Sequence, residues 1–197
     1  TAYRRQRQMC IRDSLQLLVY LLYLLHITLA KSLDNVFTAI KFPKTTNLPT
    51  SAWALEADYT FPDTSRVSVG DTFQLVMPDV YRVKFTGTSP TITAAYGGTN
   101  IFTCSAINGA YILDYSQLNC EVTADISTIS PALSGNIQFS IYFGNGGSAR
   151  SVDLEEASHF QPGTNTIVFN GILADTVTFG STADTGDVYK FAHTTGY

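Results

Sequence analysis

Alternation of apolar and polar residues with a period of two runs through much of this chain and constrains its fold more than any other feature. Successive side chains of a strand point to opposite faces, so this alternation indicates strands with one buried face. After residue 30, no segment of ten or more residues shows helical periodicity. The alternation is clearest at 73–77, 81–85 and 137–143, and shorter candidate strands are 91–95, 101–106, 110–115, 118–123, 166–169 and 175–179.

Turn signals rich in glycine and asparagine separate these candidate strands, at spacings of roughly 8–12 residues that are typical of an antiparallel sandwich. Asn108-Gly109 is the dipeptide of a two-residue hairpin, which predicts that 101–106 and 110–115 pair directly. Residues 144–147 (GNGG) are predicted to form another hairpin turn, since no lysine and helix of a phosphate-binding loop follow them. The pattern predicts an all-β, Ig-like antiparallel β-sandwich over residues 31–180.

The segments before residue 31 have a different character. Residues 15–29 form a nearly unbroken apolar run, shorter than the about 20 residues of a membrane-spanning helix but typical of a signal peptide. Ala30 supplies the small residue before the cleavage point, so 15–30 is predicted to be a signal-peptide helix and the secreted chain to begin at Lys31. Residues 4–14 (RRQRQMCIRDS) resemble the in-frame translation of a sequencing-library adaptor, so 1–14 is predicted to be an artefact.

The cysteines predict one disulfide. Cys10 lies in the adaptor-like segment, which leaves Cys104 and Cys120 in the secreted part. An even number of cysteines in a secreted chain predicts a bond between them, with Cα atoms about 4.4–6.8 Å apart on neighbouring strands.

Composition and motif spacing exclude several classes of function. With a net charge of −4 and a pI of about 5.2, the chain lacks the basic surface that nucleic-acid backbones require. Asp153, Glu155 and Glu156 could be paired catalytic carboxylates or Ca²⁺ ligands, but adjacent strand residues face opposite sides, so a solvated strand edge is predicted. His159 and His193 lack the further ligands of a zinc site. We therefore predict no metal, no cofactor and no enzymatic activity.

A longer motif points to a family. Residues 69–84, VGDTFQLVMPDVYRVK, resemble the G-D-x-F-x-L-x-M-P-x-V-[YF] segment of the fungal cell-wall adhesins of the alpha-agglutinin and agglutinin-like sequence (Als) family. Further segments resemble that family in the same order along the chain. They are 31–37 (its mature N-terminus), 102–104 and 118–122 (its central cysteine strands), 135–140, 146–148, 151–155 (SVDLE) and 160–166 (FQPGTNT).

The resemblance implies the N-terminal region of a cell-surface adhesin, in which two Ig-like domains share a ligand cavity. The ligand in that family is the flexible C-terminal end of a partner polypeptide, on another cell or a host, whose terminal carboxylate pairs with a buried lysine. Lys41 and Lys44, before Trp53, are the candidates for this lysine. Residues 181–197 resemble the crossing into the second domain, so the chain is expected to be a fragment of a longer, GPI-anchored cell-wall protein.

The chain departs from the family at two cysteine positions, where it has Asp79 and His159. The joint loss of both cysteines implies that they pair with each other in the family. It also implies that Cys104–Cys120 is the bond that remains in this chain.

Two other classes of secreted sandwich stay open at this level. A carbohydrate-binding domain would use exposed aromatic rings on one sheet as a stacking platform, with Tyr96, Tyr111, Tyr115 and Tyr142 as candidates. A hydrolase would place two carboxylates about 5–9.5 Å apart across a cleft.

Overall fold

The structure, a computed structural model, describes residues 30–85, 91–110, 112–148 and 150–180. The adaptor-like segment, the predicted signal peptide up to residue 29, Tyr111 and the segment 181–197 with His193 lie outside the described residues. The chain divides into two compact units between Ala30 and Lys31. Within the described ranges, no helix has the length and apolarity needed to cross a lipid bilayer.

The described ranges form strands and an α-helix of 8 residues, with short 3-10 turns at Thr64–Arg66 and Ile126–Thr128. In chain order the elements are β1 (Phe37–Lys41), β2 (Thr46–Asn47), β3 (Trp53–Phe61), β4 (Thr72–Pro78), β5 (Val80–Lys84), β6 (Thr91–Tyr96), β7 (Thr99–Ile107), β8 (Tyr115–Val122), β9 (Leu133–Phe143), α1 (Ser151–Ser158), β10 (Gly163–Phe169) and β11 (Leu173–Phe179).

The strands form two four-stranded sheets, ordered β1-β3-β9-β5 and β4-β8-β7-β6, and a three-stranded sheet, β10-β11-β2. Pairing within the two larger sheets is antiparallel, whereas β2 runs parallel to β11. The longest register joins β3 to β9, from Trp53 opposite Ile141 to Phe61 opposite Leu133. These two strands therefore form the centre of the first sheet.

Aromatic residues fill the space between the two larger sheets. Tyr59 on β3 lies 4.9 Å from Phe102 on β7, and Phe61 lies 5.7 Å from Phe73 on β4, measured between ring centroids. All of these rings are almost completely buried. Burial of this apolar area is the main force holding the sheets together. The predicted all-β, Ig-like sandwich is confirmed.

Cys104 and Cys120 are direct partners on β7 and β8 and are joined by a disulfide. Their Cα atoms are 3.9 Å apart, so the expected separation was too long. The two cysteines are directly opposite each other in the register of an antiparallel pair, in which Cα atoms can approach to about 4.5 Å, below the separation of most disulfide-bonded residues.

The hairpin predicted at Asn108-Gly109 is wrong, and neither Ala110 nor residues 112–114 belong to a strand. Asn108 instead accepts a hydrogen bond from the backbone N–H of Val83, and the Ala110 N–H donates to the Tyr81 carbonyl. The segment after β7 is therefore hydrogen-bonded to β5, and β8 begins only at Tyr115. Residues 144–147 are likewise not a hairpin turn, since they lead from β9 into the loop before α1.

Candidate functional site

The two candidate lysines have different surroundings. Lys41, at the end of β1, donates a hydrogen bond to Asp58 over 2.8 Å and forms an ion pair with it. This hydrogen bond and the charge of Asp58 raise the pKa of Lys41 above its ordinary value. Lys41 is therefore already engaged with a carboxylate of its own chain.

Lys44 lies in the exposed turn between β1 and β2, and no carboxylate of the described residues is within ion-pair distance of its Nζ. The residues after it run alongside the end of β11. The Thr178 N–H donates to the Thr45 carbonyl, and the Gly180 N–H donates to the Asn47 carbonyl. Lys44 thus precedes a segment that pairs with 178–180, the last residues that the structure describes.

The loop that carries Lys44, residues 42–52, is held at both ends. The Phe42 N–H donates to the Asp175 carboxylate over 2.8 Å, and the Trp53 indole N–H donates to the Leu48 carbonyl over 3.1 Å. Because both anchors belong to buried or partly buried residues, the loop has a defined position on the sandwich.

A buried cluster of aromatic rings packs at both ends of this loop. Trp53 contacts Phe42, Phe143 and Phe179 at centroid distances of 6.0, 5.8 and 5.5 Å. Phe160, which follows α1, lies 5.2 Å from both Phe143 and Phe179. The loop, the end of β11 and the segment after α1 therefore share one apolar support.

The strand edge predicted for Asp153, Glu155 and Glu156 is wrong, because all three residues lie in the helix α1. Asp153 is 2 % exposed and accepts hydrogen bonds from the backbone N–H groups of Asn145, Gly146 and Ser148 and from the Ser148 hydroxyl. Burial acts to raise the pKa of Asp153, but these hydrogen bonds outweigh it and hold the pKa below its ordinary value. Asp153 is therefore a structural acceptor that organises the loop before α1.

Glu156, on the next turn of α1, is completely buried, and its carboxyl oxygens have no hydrogen-bond partner among the described residues. Burial, reinforced by the charges of Asp79, Asp153 and Asp114, raises the pKa of Glu156 to about 8. Glu155, between the two buried acids, is exposed. Because Asp153 and Glu156 are both buried, neither carboxylate is open to a substrate, and this geometry does not favour the hydrolase alternative.

We expect the stability of the domain to fall as the pH rises from about 5 to about 8, because Glu156 keeps its proton in the folded state and loses it in the unfolded chain above its ordinary pKa of 4.5. The unfolding equilibrium constant should increase by up to about tenfold per pH unit in this window. Urea denaturation at several pH values measures the effect. Glu156→Gln should flatten the profile and Glu155→Gln should leave it unchanged, whereas a pH dependence that persists in Glu156→Gln would contradict the assignment.

Asp79 and His159 are in direct contact. Asp79 lies at the β4–β5 turn with a φ of 60°, and its carboxylate is 2.7 Å from the Nδ1 of His159 at the end of α1. Burial raises the pKa of Asp79, and the hydrogen bond with His159 acts in the opposite direction. The two positions at which the resembling family has its further cysteines are thus neighbours in space, and here a polar pair links them.

The tyrosines proposed for a carbohydrate platform do not come together. Tyr96 ends β6 and Tyr115 begins β8, and the register of the intervening β7 puts them at opposite ends of their sheet. Tyr142 lies on β9 in the other sheet, where the Arg82 guanidinium stacks 5.1 Å above its ring. Within the part of the chain that the structure describes, no group of three or more His, Cys, Asp or Glu residues is arranged to hold a metal ion.

Sequence reasoning did not find Asp175 or Leu48, which fix the lysine-bearing loop. Neither belongs to a motif, and each is more than four residues from its partner in the chain. Among the residues of these two hydrogen bonds, only Trp53 could be recognised in the sequence as a candidate core residue, because tryptophan side chains are highly buried on average.

Comparison with known proteins identifies the family of the chain. Residues 58–197 match the sequence model of a family described as "Agglutinin-like protein, N-terminal domain". The chain is 32% identical over 184 residues to Alpha-agglutinin of Saccharomyces cerevisiae, covering 90% of this chain and 28% of that protein. It is 31% identical over 161 residues to Agglutinin-like protein 6 of Candida albicans, covering 78% and 12%. The chain therefore spans less than a third of the length of either of these relatives.

Among solved structures, the collagen adhesin of S. aureus superposes with a TM-score of 0.45 at 12% identity, covering 78% of this chain and 46% of that one.

Proposed function

The chain belongs to the family of the agglutinin-like protein N-terminal domain, and from this we propose that it is the ligand-binding part of a secreted, cell-wall-anchored fungal adhesin. Its role would be adhesion to another cell or to a host surface, without catalysis and without a cofactor. The relatives named agglutinins support this class of function.

The ligand we propose is the extended C-terminal end of a partner polypeptide, with Lys44 receiving its terminal carboxylate. The observation that carries this proposal is that Lys44 has no carboxylate partner among the described residues, whereas Lys41 is paired with Asp58. Lys44 also lies beside the last described residues of β11, from which the chain continues toward a second domain in the proposed architecture. One cation at the end of an extended peptide would fix the direction and register of its binding.

Affinity should depend on that second domain. Lys44 is exposed in the described domain, and an exposed ion pair contributes only about 0–1 kcal/mol. A second wall would exclude water and strengthen the same contact. Residues 31–197 alone are therefore expected to bind more weakly than a longer protein that includes the following domain.

Binding to Lys44 is tested in the longer protein with a library of fluorescein-labelled heptapeptides that carry free C-terminal carboxylates, and with the same library amidated. We expect Lys44→Met to weaken binding of the free-carboxylate peptides by tenfold or more. The amidated peptides should bind the unmodified protein as weakly as the free-carboxylate peptides bind Lys44→Met. Lys41→Met is the matched control and should leave affinity unchanged.

Equal affinity for carboxylate and amide peptides would contradict a carboxylate-binding lysine. Equal affinity of the 31–197 fragment and the longer protein would contradict a shared cavity. Strong binding of oligosaccharides without peptide would favour the carbohydrate-binding alternative.

The domain limits are part of the proposal: 1–14 adaptor-derived, 15–30 signal peptide, 31–180 Ig-like domain, and 181–197 a linker into the second domain. The division of the chain into compact units between Ala30 and Lys31 supports the second of these limits.

A further inference from the structure

The backbone nitrogen of Lys31 is aimed at a buried carboxylate. It donates a hydrogen bond to Asp71 over 3.0 Å, and the side chain of Asp71 is only 1 % exposed. The other Asp71 oxygen accepts from the Ser68 N–H over 2.9 Å and lies 3.9 Å from the Lys31 Nζ. The buried Asp71 carboxylate is thus satisfied by two neutral backbone donors, and its nearest cation among the described residues is at the limit of ion-pair distance.

Both partners of this contact are held in place by the backbone. The Thr72 N–H donates to the Lys31 carbonyl, and the Leu33 N–H donates to the Thr72 carbonyl, so residues 31–33 lie along the edge of β4. Asp71 is fixed by its own N–H, which donates to Ser68, and by its carbonyl, which accepts from the Val122 N–H. A positive charge on the Lys31 nitrogen would therefore already lie within hydrogen-bond distance of the Asp71 carboxylate, without any movement of the backbone.

The bond before this nitrogen is accessible. Ala30 is exposed, and the sequence-predicted cleavage point, the boundary of the compact unit and the Asp71 contact all coincide at Ala30–Lys31. The cleavage point comes from the apolar run and the small residue, whereas the contact comes from the fold, so the two are independent.

We propose that removal of the leader converts the Lys31 nitrogen into an α-ammonium group that forms a partly buried ion pair with Asp71 and stabilises the mature domain. Water is the co-reactant of this peptidase-catalysed step. It hydrolyses the C–N bond between Ala30 and Lys31, and its oxygen becomes part of the new Ala30 carboxylate. Its two protons join the amide proton on the Lys31 nitrogen, which becomes –NH₃⁺. A neutral N–H donor thus becomes a charge-assisted one with three protons. The inference depends on the predicted leader but not on the proposed ligand.

The experiment uses the full chain, secreted from a eukaryotic host, and first measures the intact mass of the product, which should begin at Lys31. In a second preparation, a removable tag is inserted between Ala30 and Lys31. Cleavage with one protease gives a chain whose N-terminal residue is Lys31, and cleavage with another gives a chain with one additional glycine before Lys31. The glycine form carries the same charge one residue farther from Asp71. Urea denaturation at pH 6.5 should give an unfolding equilibrium constant at least tenfold smaller for the form that begins at Lys31.

This difference should vanish in Asp71→Asn. It should also vanish near pH 9.5, because an α-amino group ordinarily titrates at about 8 and its contribution is lost once the folded-state pKa is passed. If Asp71→Asn does not fold, the pH dependence of the difference between the two forms decides alone. A product that begins elsewhere, equal stability of the two forms, or a difference that survives at high pH or in Asp71→Asn would overturn the proposal.

Discussion

Replacing Trp53 with alanine is expected to lower the free energy of unfolding by about 4 kcal/mol. Trp53 is 1 % exposed, and its indole contacts Phe42, Phe143 and Phe179. Its removal opens a cavity among rings that are held from three different elements, so the surroundings cannot close by moving one chain segment. Guanidinium denaturation followed by far-UV circular dichroism measures the loss, since the chain contains a single tryptophan and its fluorescence disappears with it.

The matched control is Trp53→Phe, which keeps an aromatic ring but removes the hydrogen bond to the Leu48 carbonyl. It should cost about 1–2 kcal/mol, and amide exchange should increase in residues 42–52 more than in β9. Peptide affinity should fall in this variant even where the domain remains folded, because the loop that presents Lys44 loses an anchor. A loss below about 1 kcal/mol for Trp53→Ala would show that the aromatic cluster is not a cooperative part of the core.

Asp153→Ala is expected to lower the free energy of unfolding by about 3–4 kcal/mol at neutral pH, because it leaves the buried or partly buried N–H donors of Asn145, Gly146 and Ser148 without an acceptor. The matched control is Glu155→Ala on the exposed face of the same helix, which should change stability by no more than about 0.5 kcal/mol. Urea denaturation compares both variants with the unmodified chain. Equal losses for the two variants would contradict the role of Asp153.

The sign of the pH dependence gives a second check on Asp153. Its pKa is lowered in the folded state, so its contribution is present above the ordinary value of 3.8 and is lost as the pH falls through the lower folded value. Asp153→Asn should remove this acid-side loss. Glu156 acts in the opposite direction and lowers stability as the pH rises from about 5 to about 8, so these two acids of α1 should bound the pH range of greatest stability from below and from above.

Local pattern was sufficient for most strands of the sandwich. The segments with the clearest alternation became β4, β5 and β9. Every second side chain is buried in β4 and in the second half of β9, whereas a register shift between Val80 and Arg82 interrupts the alternation in β5. The central strand β3 was missed although Trp53, Leu55, Ala57, Tyr59 and Phe61 alternate along it. Alanines at two of its positions reduce the difference in hydrophobicity between its two faces. Its position in the sheet is set by its antiparallel pairing with β9.

The sequence by itself determined the sandwich, the family and the pairing of the two cysteines, because the period of two, the ordered motifs and the even cysteine count are all local or additive properties. Only the tertiary structure decided that 151–158 is a helix, that Asp153 and Glu156 are buried, and that Lys41 is engaged while Lys44 is not. Each of these depends on contacts with a loop or strand that is distant or unmarked in the chain, such as Asp58 for Lys41 and Asp79 for the end of α1. Charge and burial at a site are set by what the fold brings against it, and a single residue's neighbours in sequence do not carry that information.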